Sequence, residues 1–224
     1  MTRVQFVCLC LILQSCQPRF EYKVVGVCDD PISVDGRMDE KCWPGAKALT
    51  GFSNPWHKEV APETSLRMSR DSLNLYFFFE AADREIVWEP ALSGERGVEQ
   101  EDRVELFFSK DMDMGEYYCL EIDALGRVLS YRARHYRQLD FSWETPPGFK
   151  VAANMDTLGY TVEGAIPLSF LRSLSENGVC YFGAYRAEFS RNSAGLSEEW
   201  LTWKNPGTEE PDFHVPATLG KLVW

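Results

Sequence analysis

The sequence is poor in basic residues and in histidine. It has 23 lysines and arginines against 34 acidic residues, and its formal net charge is −11. A protein that binds nucleic acid needs a basic face for the phosphates, so this balance argues against nucleic acid as a partner. The three histidines, His57, His135 and His214, are far apart, and no C-x-x-C or G-x-S-x-G motif occurs. The sequence therefore has no zinc-ligand spacing and no nucleophile elbow for hydrolysis.

Long hydrophobic runs are scarce as well. Val4 to Leu13 form an apolar run of about ten residues, too short to span a bilayer but long enough for a signal-peptide core. The following Leu13-Gln-Ser-Cys16 is similar to the bacterial lipoprotein cleavage box, which would make Cys16 the lipidated first mature residue. An ordinary secretory signal with an incidental cysteine is the alternative. Both interpretations predict an exported protein with a signal peptide at residues 1–15. The lipoprotein interpretation adds a tether at 16–21 and a lipid anchor in the cell envelope.

Four further cysteines remain in the exported chain: Cys28, Cys42, Cys119 and Cys180. An exported protein can keep disulfides, and four cysteines allow three pairings. The sequence does not choose among these pairings, although Cys28 and Cys42 are the nearest pair along the chain.

The rest of the chain reads as short β-branched and aromatic runs that are separated by Gly, Asp and Pro. This pattern predicts an all-β protein, and we expect one antiparallel, jelly-roll-like β-sandwich from Tyr22 to Trp224, without a linker or repeat. The brief segment Pro167–Leu174 is the one helical candidate. The predicted strands and hairpins lie at Leu73–Asp83, Asp102–Ser109, Tyr117–Arg134, Phe149–Leu168, Val179–Arg191 and Gly220–Trp224.

Acidic residues occur on and beside the predicted strands. Glu105 alternates with Val104 and Leu106, so it faces out of the sheet if those two face the core. Glu121 and Asp123 are two apart and share a strand face, which we expect to be solvated. Asp83, Glu101 and Asp102 stand at strand ends and offer the oxygen ligands that calcium prefers, so a structural calcium at Asp83 and Asp102 is a prediction.

Seven tryptophans are the most informative residues. Trp43 and Trp224 are predicted core residues, whereas the other five lie in or beside predicted loops. The indole ring of a tryptophan is rigid, apolar and flat, and it carries one N–H donor. A sugar can stack its apolar face on this ring while the hydroxyls at its edge form hydrogen bonds. Capping of the sandwich is the alternative role, and we favour it for Trp88, Trp143 and Trp200. The five loop tryptophans are Trp56, Trp88, Trp143, Trp200 and Trp203.

The order of several motifs resembles family 9 carbohydrate-binding modules, especially their lipoprotein-like relatives in Bacteroidetes, over about residues 31–222. The resemblance implies an antiparallel β-sandwich that is not catalytic. It also implies binding of the ends of β-linked glucans and xylans between two tryptophans, often with structural calcium, in support of glycoside hydrolases. The motifs are "ISVDGRMDEKCW", "LNLYFFFEAAD", "EDRVELFFSKD", "EYYCLEIDALGRV", "GYTVEGAIPLSFL" and "LTWKNPGTEEPDFHVPATLGKL".

The same resemblance implies roles for individual residues. Trp203 matches one sugar-stacking tryptophan, with Asn205 in reach of the same face, and Glu105 matches the glutamate that bonds the ligand. The second tryptophan belongs six residues before Glu105, where this sequence has Glu99. Trp88 is a candidate substitute for the second tryptophan. The ligand-bonding arginine is not clearly matched, and the candidates for it are Arg132 and Arg186.

The expected function is therefore capture of plant-type oligo- or polysaccharide by a monomeric protein at the cell envelope. Two alternatives stay open. A related, DOMON-like β-sandwich superfamily binds haem for electron transfer, which requires an axial methionine or histidine. The other alternative is a glycoside hydrolase that uses a pair of carboxylates. The candidates for an axial haem ligand are Met68, Met112, Met114 and His135.

Overall fold

The computed structural model describes residues 20–30, 32–58, 60–89, 95–193 and 195–224. The predicted signal peptide at 1–15 and the predicted lipidation site, Cys16, lie outside these residues. Only residues 20 and 21 of the predicted tether are described. Within the described part of the chain, no helix has the length and apolar character needed to cross a membrane.

The described chain is almost entirely β-structure. Two short α-helices, α1 (Glu95–Val98) and α2 (Leu168–Ser173), and two 3₁₀ turns, Trp43–Gly45 and Pro216–Thr218, interrupt the strands. In chain order the strands are β1 (Glu21–Lys23), β2 (Gly26–Val27), β3 (Ala48–Leu49), β4 (Thr64–Arg70), β5 (Asn74–Ala82), β6 (Arg103–Ser109), β7 (Tyr117–Asp123), β8 (Val128–Arg134), β9 (Gln138–Asp140), β10 (Lys150–Met155), β11 (Gly159–Pro167), β12 (Val179–Asn192), β13 (Gly195–Thr202) and β14 (Gly220–Val223).

The strands form two sheets that pack face to face, which confirms the predicted β-sandwich. The front sheet has the order β1-β14-β12-β6-β7-β8-β9, and β13 also pairs with β12. The back sheet has the order β10-β11-β5-β4-β2, and β3 also pairs with β4. Most neighbouring strands are antiparallel, as predicted, and two pairs are parallel. β1 pairs with β14, and β2 pairs with β4, in parallel. The N-terminal segment contributes a parallel strand to each sheet.

Alternation along the strands builds the core between the sheets. On β6, Val104 and Leu106 face the back sheet, where Phe77 and Phe79 of β5 meet them. Each fully buried side chain of this size contributes roughly 1.5–3 kcal/mol relative to an exposed one. The segment before β14 folds over the other face of the front sheet, so Phe107 on that face is also buried. Both faces of β6 are therefore covered, and all seven of its residues are buried.

The cysteines are also placed by strand alternation. Cys28 and Cys42 form a disulfide, with their Cα atoms 5.3 Å apart. Cys119 and Cys180 are free and buried. They lie on opposite faces of the front sheet, because Cys119 belongs to the outer cluster and Cys180 to the core between the sheets. The sheet therefore separates the two thiols. The predicted core role of Trp43 is confirmed, because its side chain is fully buried.

Candidate functional site

A cleft of about 190 Å³ opens on the outer face of the front sheet. Its floor consists of charged side chains from the central strands β6 and β7, and β13 supplies an aromatic wall. The turn between β8 and β9 and the loop before β14 close the rest of the rim. The lining residues are Arg103, Glu105, Glu121, Trp200, Arg137, Pro211, Asp212, Phe213 and His214.

Three charged side chains form the floor. Arg103 and Glu105 are two residues apart on β6 and therefore face the same way. The prediction that Glu105 faces out of the sheet is confirmed, because its neighbours Val104 and Leu106 lie in the core. Glu121 lies directly opposite Glu105 in the strand register. The Nε of Arg103 is 2.9 Å from a carboxylate oxygen of Glu105 and 2.9 Å from one of Glu121.

The floor is buried under the surrounding loops, and this changes its protonation. Burial and the neighbouring Glu121 raise the pKa of Glu105 to about 8. At neutral pH Glu105 is therefore mostly protonated, and the Arg103 guanidinium contacts both carboxyl groups. Tyr131 donates a hydrogen bond of 2.7 Å to Glu121. The result is a rigid set of charge-assisted donors and acceptors.

The aromatic wall is Trp200, which sequence reasoning placed in a capping role. β13 was not predicted as a strand, so its alternation was missed. In the structure Leu201 faces the core and Trp200 faces outward, where its ring lies 5.3 Å from the Arg103 guanidinium. The ring also makes an edge contact with Phe213, at 5.7 Å between centroids. The sequence signal for this arrangement is the alternation within "EEWLTW".

The rim is held by hydrogen bonds between two loops. Arg137 forms a salt bridge of 2.9 Å with Asp212, which also accepts hydrogen bonds from the Tyr136 hydroxyl and the His214 backbone N–H, both at 2.8 Å. Nδ1 of His214 is 2.8 Å from the hydroxyl of Tyr117. Burial and the nearby Arg137 lower the pKa of His214 to about 4, so this imidazole is neutral at pH 7.

Trp203, the predicted sugar plate, is instead a core residue. It is 8% exposed, and its ring packs 4.9 Å from Phe182 and 5.6 Å from Phe20. A Cβ at Gly220 would come within 2.5 Å of the ring, so the contact is close on that side too. Trp203 and Trp200 are three residues apart across the end of β13, and they therefore lie on opposite faces of the sheet. Trp203 has no free face to offer a ligand.

Two other predicted ligand residues, Asn205 and Trp88, do not line the cleft, and Glu99 stands where a second tryptophan was expected. Asn205 is exposed, and its side-chain oxygen accepts a 2.7 Å hydrogen bond from the Gly207 N–H within its own turn. Trp88 is 39% exposed but is not among the described residues that line the cleft. Glu99 is exposed, and its backbone oxygen accepts a 3.0 Å hydrogen bond from Arg103.

The two arginine candidates are also elsewhere. Arg186 is fully buried on the inner face of β12, so the sheet separates it from Glu105. Its guanidinium pairs with Asp83 at 3.5 Å and with Glu188. Arg132 is at the surface and pairs with Asp140. The arginine beside Glu105 is Arg103, from the same strand.

The acidic residues at the strand ends fall into two groups. Asp83 and Asp102, the predicted calcium ligands, meet Glu188 with ligand oxygens within 4.8 Å of one another. Burial, followed by the charges of nearby acids, raises the pKa of Asp102 to about 8, although backbone N–H donors oppose this shift. Glu101 is not in this group, because it pairs with Arg127.

Glu121 and Asp123 contradict the prediction of a solvated strand face. Both are buried, Glu121 in the cleft floor and Asp123 at the end of β7. Asp123 accepts 2.9 Å hydrogen bonds from the backbone N–H groups of Leu125 and Arg127, which fixes that turn. Two of the methionines considered as haem ligands are separated by the front sheet, with Met68 in the core and Met114 in the outer cluster.

A second and larger cleft, of about 340 Å³, lies at the back sheet beside Glu80, Asn154 and Thr161. The aromatic residue that lines it, Tyr160, is buried in the core and presents no open ring. A stacking ligand therefore fits the smaller front-sheet cleft better, because Trp200 stands there beside fixed charges.

Comparisons with known proteins agree with this architecture. The fold is similar to a candidate carbohydrate-binding protein from Bacteroides uniformis, with a TM-score of 0.67 and 19% identity over 91% of this chain and 98% of that chain. It is also similar to a family 9 carbohydrate-binding module from Caldicellulosiruptor kristjanssonii in complex with cellotriose, with a TM-score of 0.60 and 18% identity over 91% and 92% of the chains. The glucose complex of the Caldicellulosiruptor module gives the same TM-score and identity, over 91% and 94%.

At such identities these structures establish the fold alone. No curated protein matches the chain. The sequence profile of one family, carbohydrate family 9 binding domain-like, matches residues 34–224. Because this match spans nearly all of the folded part, the chain belongs to the carbohydrate family 9 binding domain-like family.

Proposed function

We propose that this protein is a non-catalytic carbohydrate-binding protein and that the front-sheet cleft holds the sugar. The observation that carries this assignment is the outward face of Trp200 beside the Arg103–Glu105–Glu121 floor. A tryptophan plate suits the apolar face of a pyranose ring, and the fixed charges suit the hydroxyls at its edge.

The floor also favours binding over hydrolysis. Acid–base hydrolysis of a glycosidic bond uses two carboxyl groups that flank the bond. Here one arginine nitrogen contacts both Glu105 and Glu121, and Tyr131 holds Glu121 as well. These carboxyl groups are arranged as ligand-orienting groups, in agreement with the non-catalytic character of the family.

The proposal includes an exported, lipid-anchored location that brings the protein near polysaccharide-degrading enzymes. It rests on the sequence of residues 1–16, with Cys16 as the lipid attachment site. Metabolic labelling with a fatty acid tests it: label should enter the wild-type chain and not the Cys16→Ala variant. We also propose that the mature protein is a monomer, which light scattering checks.

A structural calcium is a further part of the proposal. Three carboxylates, Asp83, Asp102 and Glu188, supply oxygen donors of the kind that calcium takes. Arg186 pairs with two of them, and burial, followed by the charges of Glu188 and Asp83, raises the pKa of Asp102; a bound cation would offset both effects. This donor set fits a hard divalent cation, which would tie β12 to the segments after β5 and before β6.

Calorimetry against gluco-, xylo- and manno-oligosaccharides tests the sugar-binding proposal. The wild-type protein should bind at least one of them, and Trp200→Ala should weaken this binding at least about tenfold, as expected for loss of a central aromatic anchor. Glu105→Gln should weaken it too. Trp88→Ala is the matched control, because Trp88 is a partly exposed tryptophan outside the cleft. Binding that Trp200→Ala leaves as tight as wild type would refute the site.

A further inference from the structure

The cleft has one tryptophan wall, and the position expected for a second holds Glu99. The side chain of Glu99 is exposed, and only its backbone oxygen contacts the floor, through Arg103. A ligand longer than one ring would therefore lack a second aromatic contact on that side. The structure offers an aromatic side chain at a different edge of the cleft, on the turn between β8 and β9.

We infer that Tyr136 is a second ligand-contacting aromatic residue, which stacks on a sugar unit beyond the one at Trp200. This inference rests on the proposed function of the cleft and deepens it. Tyr136 is 54% exposed, yet it adjoins the rim, because its hydroxyl donates a 2.8 Å hydrogen bond to Asp212, a residue of the cleft lining. The next residue, Arg137, lines the cleft itself.

The Tyr136 side chain is fixed in place and is still about half exposed. Its hydroxyl donates to Asp212 and accepts a 3.1 Å hydrogen bond from Nε of Arg137, so both functions of the hydroxyl are used. Arg137 in turn pairs with Asp212 at 2.9 Å, and its guanidinium lies 5.6 Å from the centre of the ring. A side chain that is held at its polar end and by Arg137 over its ring, yet stays about half exposed, is preorganised for stacking, because little rotamer freedom remains to be lost on binding.

The topology separates the two aromatic walls. Trp200 lies on β13, whereas Tyr136 follows β8, and the front-sheet order between them is β13, β12, β6, β7, β8. Adjacent strands are spaced about 4.8 Å apart, so the two backbones are roughly 19 Å apart across the sheet. Side chains that lean inward shorten this distance, and the strands that carry the floor, β6 and β7, lie between the two positions. Tyr136 and Trp200 therefore contact different units of one oligosaccharide, with the Arg103–Glu105–Glu121 floor between them.

This arrangement makes the effect of Tyr136 depend on chain length. Calorimetry would compare glucose with cellotriose, and xylose with xylotriose, on wild type, Tyr136→Ala, Tyr136→Phe and Leu139→Ala. Tyr136→Ala should lower the affinity for the bound trisaccharide by about fivefold to tenfold, the value expected for one aromatic contact. It should change the affinity for the monosaccharide by less than about twofold. Tyr136→Phe keeps the ring but loses its anchor, so the loss should be about twofold to threefold. Leu139→Ala, an exposed apolar residue on β9, should have no effect.

The outcomes separate this inference from the proposed function. If Tyr136→Ala binds the trisaccharide as tightly as wild type while Trp200→Ala does not, the inference is wrong and the proposed site stands. The inference is also wrong if Tyr136→Ala lowers the affinities for the monosaccharide and the trisaccharide equally, because Tyr136 would then contact the same sugar ring as Trp200. If Trp200→Ala binds as tightly as wild type, the proposed site is wrong, and if wild type binds no sugar, the proposed function is wrong; in both cases the Tyr136 assignment fails as well.

Discussion

Replacing Arg103 by glutamine would test the electrostatics of the cleft floor. The substitution leaves Glu105 and Glu121 buried without their shared cation, and breaking a buried ion pair costs about 3–5 kcal/mol. Protonation limits this cost. The carboxylate that Arg103 balanced can take up a proton, which costs about 1.4 kcal/mol for each pH unit above the unfolded glutamate pKa of about 4.3. The expected loss in the free energy of unfolding is therefore about 4 kcal/mol at pH 7 and about 1 kcal/mol at pH 5.

Proton linkage sets the direction in which the stability difference between variant and wild type changes with pH. In the variant the folded state holds a proton that the unfolded state releases above pH 4.3, so its stability falls further below wild type as the pH rises. Urea denaturation of both proteins at pH 5, 6 and 7 measures this difference. Arg132→Gln is the control, since Arg132 makes an exposed salt bridge with Asp140, and exposed pairs contribute little to stability. A loss for Arg103→Gln that is equal at pH 5 and pH 7, or below about 1 kcal/mol at pH 7, would refute the reasoning.

Three further predictions concern the core, the acidic group and the disulfide. Trp203→Ala should lower the free energy of unfolding by about 3–5 kcal/mol in urea denaturation, because it empties a packed core site; a loss below about 1 kcal/mol would place the ring outside the core. In scanning calorimetry calcium should raise the melting temperature more at pH 8.5 than at pH 5.5, because protons on Asp102 and Glu188 compete at low pH; an equal shift contradicts this. Replacing Cys28 and Cys42 by serine should lower the free energy of unfolding in urea by about 3 kcal/mol. Unchanged stability would show that no disulfide between them constrains the unfolded chain.

The fold was predictable because its signals are local. β5, β6 and the two hairpins that turn at Asp123–Gly126 and Asp156–Gly159 appear within a residue or two of their predicted bounds. Each is an apolar or alternating run that ends at a turn residue. β13 was not predicted, because charged and polar residues occupy half of its positions and only its last residues are buried. Pairing with β12, rather than its own composition, makes this segment a strand.

The site was predicted less well for the same reason. Without β13, Trp200 and Trp203 had no assigned faces, and the resemblance favoured Trp203. Glu105 was placed correctly on the outer face, since the alternation of β6 is unambiguous. Arg103 was overlooked, although the alternation that orients Glu105 also orients it. The contribution of Tyr136 and Asp212 depends on two loops that meet in space, and no local pattern indicates that meeting.

The most direct test of the sugar-binding site is a crystal structure of the protein with a bound oligosaccharide from the panel that binds. We predict that the terminal ring stacks on Trp200 and that Glu105 or Glu121 lies within hydrogen-bond distance of its hydroxyls. A sugar in the back-sheet cleft beside Glu80 and Asn154, or one that leaves the Trp200 ring uncontacted, would contradict the account.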